Sequence, residues 1–92
     1  MTTTLTSQVS VSTAPVLLVS AQPYGQQVIV LNASGAGVLY IGDKNVTSIT
    51  GIEVKGNEKL SQGPFELPPE TTLYGVSGGG TVSAHVFSIV GN

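Results

Sequence analysis

Few side chains in this sequence can do chemistry. The acids are Asp43, Glu53, Glu58, Glu66 and Glu70, and the single histidine is His85. Glu53 with Glu58, and Glu66 with Glu70, could form carboxylate pairs for acid–base work. Each pair flanks a turn, and no second His, no Arg and no Cys completes a site. They read as solvated turn residues. His85 lies mid-strand beside Phe87 without a nucleophile motif such as GxSxG. It reads as a strand side chain on a second sheet face or at a subunit interface. Asp43, Asn45 and Thr47 alternate as D-x-N-x-T, the way some calcium loops begin. The glycine and the bidentate Glu of such a loop are missing at the required spacing. The segment reads instead as a turn whose Asp and Asn side chains bond their own backbone. Gly78-Gly79-Gly80-Thr81 leads into a strand, with no helix and no nearby Lys, so it reads as a hairpin turn and not as a phosphate loop. Tyr24, Tyr40 and Tyr74, without any Trp, make a poor sugar platform. Tyr40 and Tyr74 sit in apolar strands and read as core-edge residues. The inventory therefore predicts no enzyme, no metal and no cofactor.

The elements that must carry these residues are short and extended. Gly (12) and Pro (5) punctuate the chain at strand-length intervals. Apolar residues recur with a period of two or run continuously, and no long stretch has a helical period. In 5–12, Leu5, Val9 and Val11 share one face and Thr6, Gln8 and Ser10 the other. Pro15 interrupts, and 16–20 resumes as a strand. Residues 27–32 are apolar on both faces, as a central strand requires. A small-residue loop joins them to VLYIG, and the two strands are expected to form an antiparallel hairpin. Short extended pieces follow at 46–50, 52–54 and 59–67, with Gly63-Pro64 marking a bend. The last strands are 71–77 and 81–90. In 81–90, Val82, Ala84, Val86 and Val90 share one face, opposite His85, Phe87 and Ile89. The expected fold is all-β: a compact antiparallel β-sandwich or jelly-roll-like barrel of about eight short strands with an extended N-terminal arm. Residues 1–14 read as that arm and the first strand, and 15–92 as a single sandwich domain.

Composition narrows the function. The chain of 92 residues is 9% charged and 40% hydrophobic, against about 25% charged in ordinary domains. A domain this small buries roughly 60–65% of its unfolded surface, so its core is thin and a partner surface would add much. All eight charged side chains lie between Asp43 and Glu70, and both flanks are uncharged. Three Lys, no Arg and a net charge of −2 leave no basic footprint for nucleic acid. No apolar run reaches the roughly 18 residues of a membrane span. The first residues lack the basic and apolar regions of a signal peptide, which predicts synthesis in a cytoplasm. Asn32-Ala33-Ser34 and Asn45-Val46-Thr47 match the glycosylation sequon and read as chance matches.

The order of features from 28 to 86 carries a resemblance. A strand VIVLN is followed by VLYIG, then by Asp43-Lys44-Asn45-Val46-Thr47 and Gly51-Ile52-Glu53-Val54. The turn Gly56-Asn57-Glu58 with Leu60 comes next, where a direct Gly-Glu is the usual form. Phe65-Glu66-Leu67-Pro68 then leads to Leu73-Tyr74-Gly75-Val76, a Gly-rich turn and the closing strand. This pattern resembles the small β-domains of tailed-bacteriophage virions, found in capsid decoration proteins and head fibres, and covers about two thirds of the chain. The resemblance implies a non-enzymatic virion structural protein, made in the host cytoplasm, that decorates and cements a bacteriophage capsid surface. Its implied partners are the major capsid protein and copies of itself in a homotrimer. The contact residues it suggests are Thr2, Thr3, Thr4 and Leu5 of the uncharged arm. Deleting residues 1–8 is then expected to abolish particle binding and leave the β-domain folded. The alternative is a receptor- or glycan-binding module of a head fibre or tail.

Overall fold

The computed structural model describes residues 3–35, 37–59 and 65–90. Thr2, Leu60 and the expected Gly63-Pro64 bend lie outside them. Eight strands are present: β1 (Thr3–Val11), β2 (Val16–Val19), β3 (Gln26–Asn32), β4 (Leu39–Gly42), β5 (Ile52–Val54), β6 (Phe65–Leu67), β7 (Leu73–Ser77) and β8 (Val82–Val90). They form two antiparallel sheets. The front sheet has the order β1-β8-β3-β6 and the back sheet β2-β7-β4-β5. Pairing is nested: β1 with β8, β2 with β7, β3 with β6 and β4 with β5. A long four-pair hairpin rolled onto itself has this connectivity, which is that of a jelly roll. The expected all-β sandwich of eight short strands is therefore the fold.

Two local expectations are corrected by this topology. β3 and β4 do not form a hairpin, because β3 belongs to the front sheet and β4 to the back one. The Gly78–Gly80 turn likewise crosses between sheets, from β7 to β8. Only β4 and β5 are both successive in the chain and adjacent in a sheet. A rolled hairpin alternates sheets at almost every connection, so short loops here turn across the core and not along a sheet edge. The third correction concerns 46–50, which is not a strand. The Thr47 hydroxyl accepts the amides of Ile49 and Thr50 at 3.2 Å each, and the Thr47 carbonyl accepts the Gly51 amide at 2.9 Å. These local bonds give the backbone a turn in place of a ladder.

The core lies where the two inner faces meet. Val82, Ala84, Val86, Ser88 and Val90 of β8 all point inward and are buried, the alternation read from the sequence. Val28 and Val30 join them from β3, facing Leu18 and Val19 of β2, Leu39 and Ile41 of β4 and Val54 of β5. β-branched side chains dominate because they fill a pleated surface at little rotamer cost. Gly75 lets β7 pass close to this packing, since a Cβ there would stand 2.9 Å from Leu18 Cδ1 and 3.1 Å from Leu39 Cδ1.

A polar knot ties the sheets together at the end of β3. Asn32 is fully buried. Its Nδ2 donates to the Val54 carbonyl at 3.0 Å and the Gly37 carbonyl at 3.3 Å, and its Oδ1 accepts the Ser34 amide at 3.0 Å. Its backbone amide donates to the Glu58 carbonyl at 2.9 Å, and its carbonyl accepts the Asn57 amide at 2.8 Å. Every polar group of Asn32 is thus engaged, as a buried amide requires. With Nδ2 so held, the first sequon has no free amide for a glycan. Gly56 comes so close to this knot that a Cβ would lie 2.6 Å from the Ser34 carbonyl oxygen.

Candidate interaction surface

The residues singled out for chemistry do not converge. Glu53, Glu58, Glu66 and Glu70 are all exposed, on β5, β6 and the turns around them. Asp43 Oδ1 accepts the Asn45 amide at 2.9 Å, and its carbonyl accepts the Val46 amide at 3.0 Å. The segment is a turn, as read from the sequence, but of the two side chains expected to bond the backbone only Asp43 does so among the described residues. Tyr40 and Tyr74 are half-buried on the back sheet, and Tyr24 is exposed in the turn before β3. His85 is exposed on the outer face of the front sheet.

What the fold brings together is the uncharged part of the chain. The first and last strands are neighbours, paired without a break from Thr3 opposite Val90 to Val11 opposite Val82. β3 lies on the other side of β8. The two uncharged flanks of the sequence therefore become one continuous three-stranded surface. At the opposite side β5 and β6 close the two sheets with Glu53 and Glu66, while Lys44 lies near Thr13 and Pro15 of the β1–β2 connection. The strands thus run from an uncharged edge, β1 and β2, to a charged edge, β5 and β6.

The outer face of the front sheet follows from the pairing. Side chains in register across β1, β8 and β3 make cross-strand rows. Thr6, Phe87 and Ile29 form one row, and Gln8, His85 and Leu31 the next. Thr4, Ile89 and Gln27 form a third, which ends on β6 at Glu66. Ile29, Leu31, Phe87 and Ile89 thus make an apolar stripe that is half-buried although no described element packs on it. Thr6, Gln8, His85 and Lys59 border it, around an open groove of about 530 Å³. Lys59 reaches the groove because it bridges to Leu31 beyond the end of β6.

The proposed contact residues Thr3, Thr4 and Leu5 fall at the edge of this surface. Thr4 and Leu5 are exposed and pair with Ile89 and Ser88, and Thr3 holds the register position opposite Val90. From Thr3 onward, the expected arm is an edge strand of the front sheet. Ile29 and Leu31 were not singled out from the sequence. Their signal was the apolar character of both faces of β3, and only its placement beside β8 makes it a stripe. Gln26 was also missed: it is 2% exposed, its Nε2 donates to the Ser20 carbonyl at 2.9 Å, and its Oε1 has no partner among the described residues. Compared with known proteins, the chain matches no family model and no curated relative.

Proposed function

We propose that this chain is a non-enzymatic structural protein of a bacteriophage virion, decorating and cementing the capsid surface through the outer face of its front sheet. The observation that carries the reading is the segregation of charge. An interface core is depleted in charged residues, because each buried charge has a desolvation cost. The strands β1, β8 and β3 carry no charged residue of their own, and their apolar stripe is bordered by Thr6, Gln8 and His85, with Lys59 the charged side chain at the groove. A thin-cored domain of this size also gains stability by mass action when it binds a large surface. The jelly roll is used by viral capsid domains, though also by lectins and cupins, so the fold supports the reading without deciding it. The partners in this reading are the major capsid protein and sister copies in a trimer. Synthesis is in the host cytoplasm and residence is on the particle.

Binding of the purified chain to undecorated capsid shells tests this. Phe87→Lys and Leu31→Lys each place a charge in the stripe and are expected to weaken binding about tenfold or more, as at an interface hot spot. Ile49→Lys, at a position 91% exposed in the turn before β5, is expected to bind like the wild type. Equal binding by all four proteins would overturn the assignment of the face.

A second reading is a receptor- or glycan-binding module of a head fibre or tail. The groove favours it, because an aromatic floor at Phe87 with Gln8, His85 and Lys59 at its rim can stack and hydrogen-bond a sugar ring. A glycan array without hits, together with normal host adsorption by particles lacking the chain, would remove this reading.

A further inference from the structure

We infer that β1 is the docking edge for a second copy of this chain, pairing antiparallel with its own counterpart about a two-fold axis at Ser7. An edge strand leaves a row of amides and carbonyls open to another strand, and proteins usually guard it with charge, proline, a bulge or short length. Three of the four edges here are guarded. β2 follows Pro15 and shifts register between Leu17 and Val19. β5 and β6 are three residues each and carry Glu53 and Glu66. β1 has none of these devices: it is nine residues long, uncharged, free of proline, and in unbroken register with β8.

The strand's own pattern names the occupant. Reading outward from Ser7, the flanking residues are Thr6 and Gln8, then Leu5 and Val9, then Thr4 and Ser10. In an antiparallel pair centred on Ser7, Leu5 therefore stands opposite Val9 of the second copy. Thr6 stands opposite Gln8, and Thr4 opposite Ser10. On the inner face Leu5 meets Val9 and Ser7 meets Ser7, with Thr3 opposite Val11 at the ends, and on the outer face polar residues meet polar ones, as a closed two-fold contact requires. No like charges oppose each other, because the strand has none. Leu5 is 44% exposed at this edge, and the pairing would cover it. Beneath the same edge lies a notch lined by Leu5, Ser7, Leu18, Ser88 and Gln26. The unpartnered Gln26 oxygen there is a second sign that this side of the sandwich is unfinished. The product is one eight-stranded sheet, β6-β3-β8-β1 continued by β1-β8-β3-β6, with the two apolar stripes flanking a central Thr/Gln band. This pairing does not depend on the capsid reading, and it joins chains or trimers two at a time.

Mass measurement of the full chain in solution, with charge swaps on β1, tests the inference. The wild type is expected to form an even-numbered species, two chains, or six if trimers also form. Thr6→Lys with Gln8→Lys sets like charges opposite each other and is expected to halve that mass. The same is expected of Thr6→Glu with Gln8→Glu. Mixing the two variants in equal amounts is expected to restore the full mass, which a folding defect in either could not do. Ser7→Cys, in a chain without other cysteine, is expected to cross-link on oxidation, whereas Thr4→Cys, displaced from its counterpart by six residues, is not. A wild type that stays monomeric or trimeric up to about 1 mM, the weak end of specific association, would overturn the inference. So would an even-numbered mass untouched by the swaps, or variants that fail to combine.

Discussion

Replacing Asn32 by Leu removes the polar knot while keeping a side chain of similar size. Three side-chain hydrogen bonds are lost. The bond to the Val54 carbonyl is buried, so that oxygen is left without a partner, at about 1–3 kcal/mol. The Gly37 carbonyl and Ser34 amide are partly buried, and water can recover some of their loss, so each adds about 0.5 kcal/mol. The sum is about 2–4 kcal/mol, against a total stability of about 5–14 kcal/mol for a chain of this length. At about 4–8 °C per kcal/mol for a domain this small, the melting midpoint should fall by about 10–30 °C. Thermal melts followed by circular dichroism measure this directly. A fall below about 4 °C would refute the reasoning, since it would mean that neither the Val54 carbonyl nor the inter-sheet tie depends on Asn32.

Gln26→Leu provides the contrast. Its amide is half-satisfied, so the substitution should change stability by less than about 1 kcal/mol or raise it, seen as a denaturation midpoint close to the wild type. Gly56→Ala drives a methyl group into the Ser34 carbonyl at 2.6 Å and should cost about 1–3 kcal/mol, read from the same denaturation curves. Deleting residues 1–8 does not simply trim an arm. It strips β8 of its partner along most of one side and removes ladder bonds worth together about 3–6 kcal/mol. The cooperative melt should weaken or vanish, so loss of particle binding in that deletion would not isolate a contact. Point charges on β1 and on the stripe are the cleaner probe.

The strands that could be read directly were those whose neighbours bury them. In β8 the face read from Val82, Ala84, Val86 and Val90 is the buried one, with Ser88 on it, whereas in β3 the buried face holds Val28 and Val30 together with the polar Gln26 and Asn32. Loops were harder. Nothing in Ala33–Gly37 or in Gly78–Gly80 states whether the chain returns along the same sheet or crosses to the other. That choice is made by the nested pairing of β1 with β8 and β2 with β7, which joins residues far apart in sequence. Thr47 misled for a local reason, since a β-branched residue with a hydroxyl can favour a strand by shape and a turn by hydrogen bonding. Asn32 stood in the sequence only as a strand end and a chance sequon match, since its partners at Gly37, Val54, Asn57 and Glu58 come together only in the fold. The charge block between Asp43 and Glu70 was plain in the sequence. That Glu53 and Glu66 lie on one edge of the sandwich, away from the uncharged strands β1 and β8, followed only from the strand order.

Imaging of phage particles assembled with and without this chain tests the capsid reading most directly. Decorated particles should carry extra density on the outer shell, with the β1-β8-β3 face and its Phe87 and Leu31 side chains turned toward the capsid protein and the Glu53 and Glu66 edge turned away. Particles that look the same with and without the chain, or a chain seated by its charged edge, would contradict it.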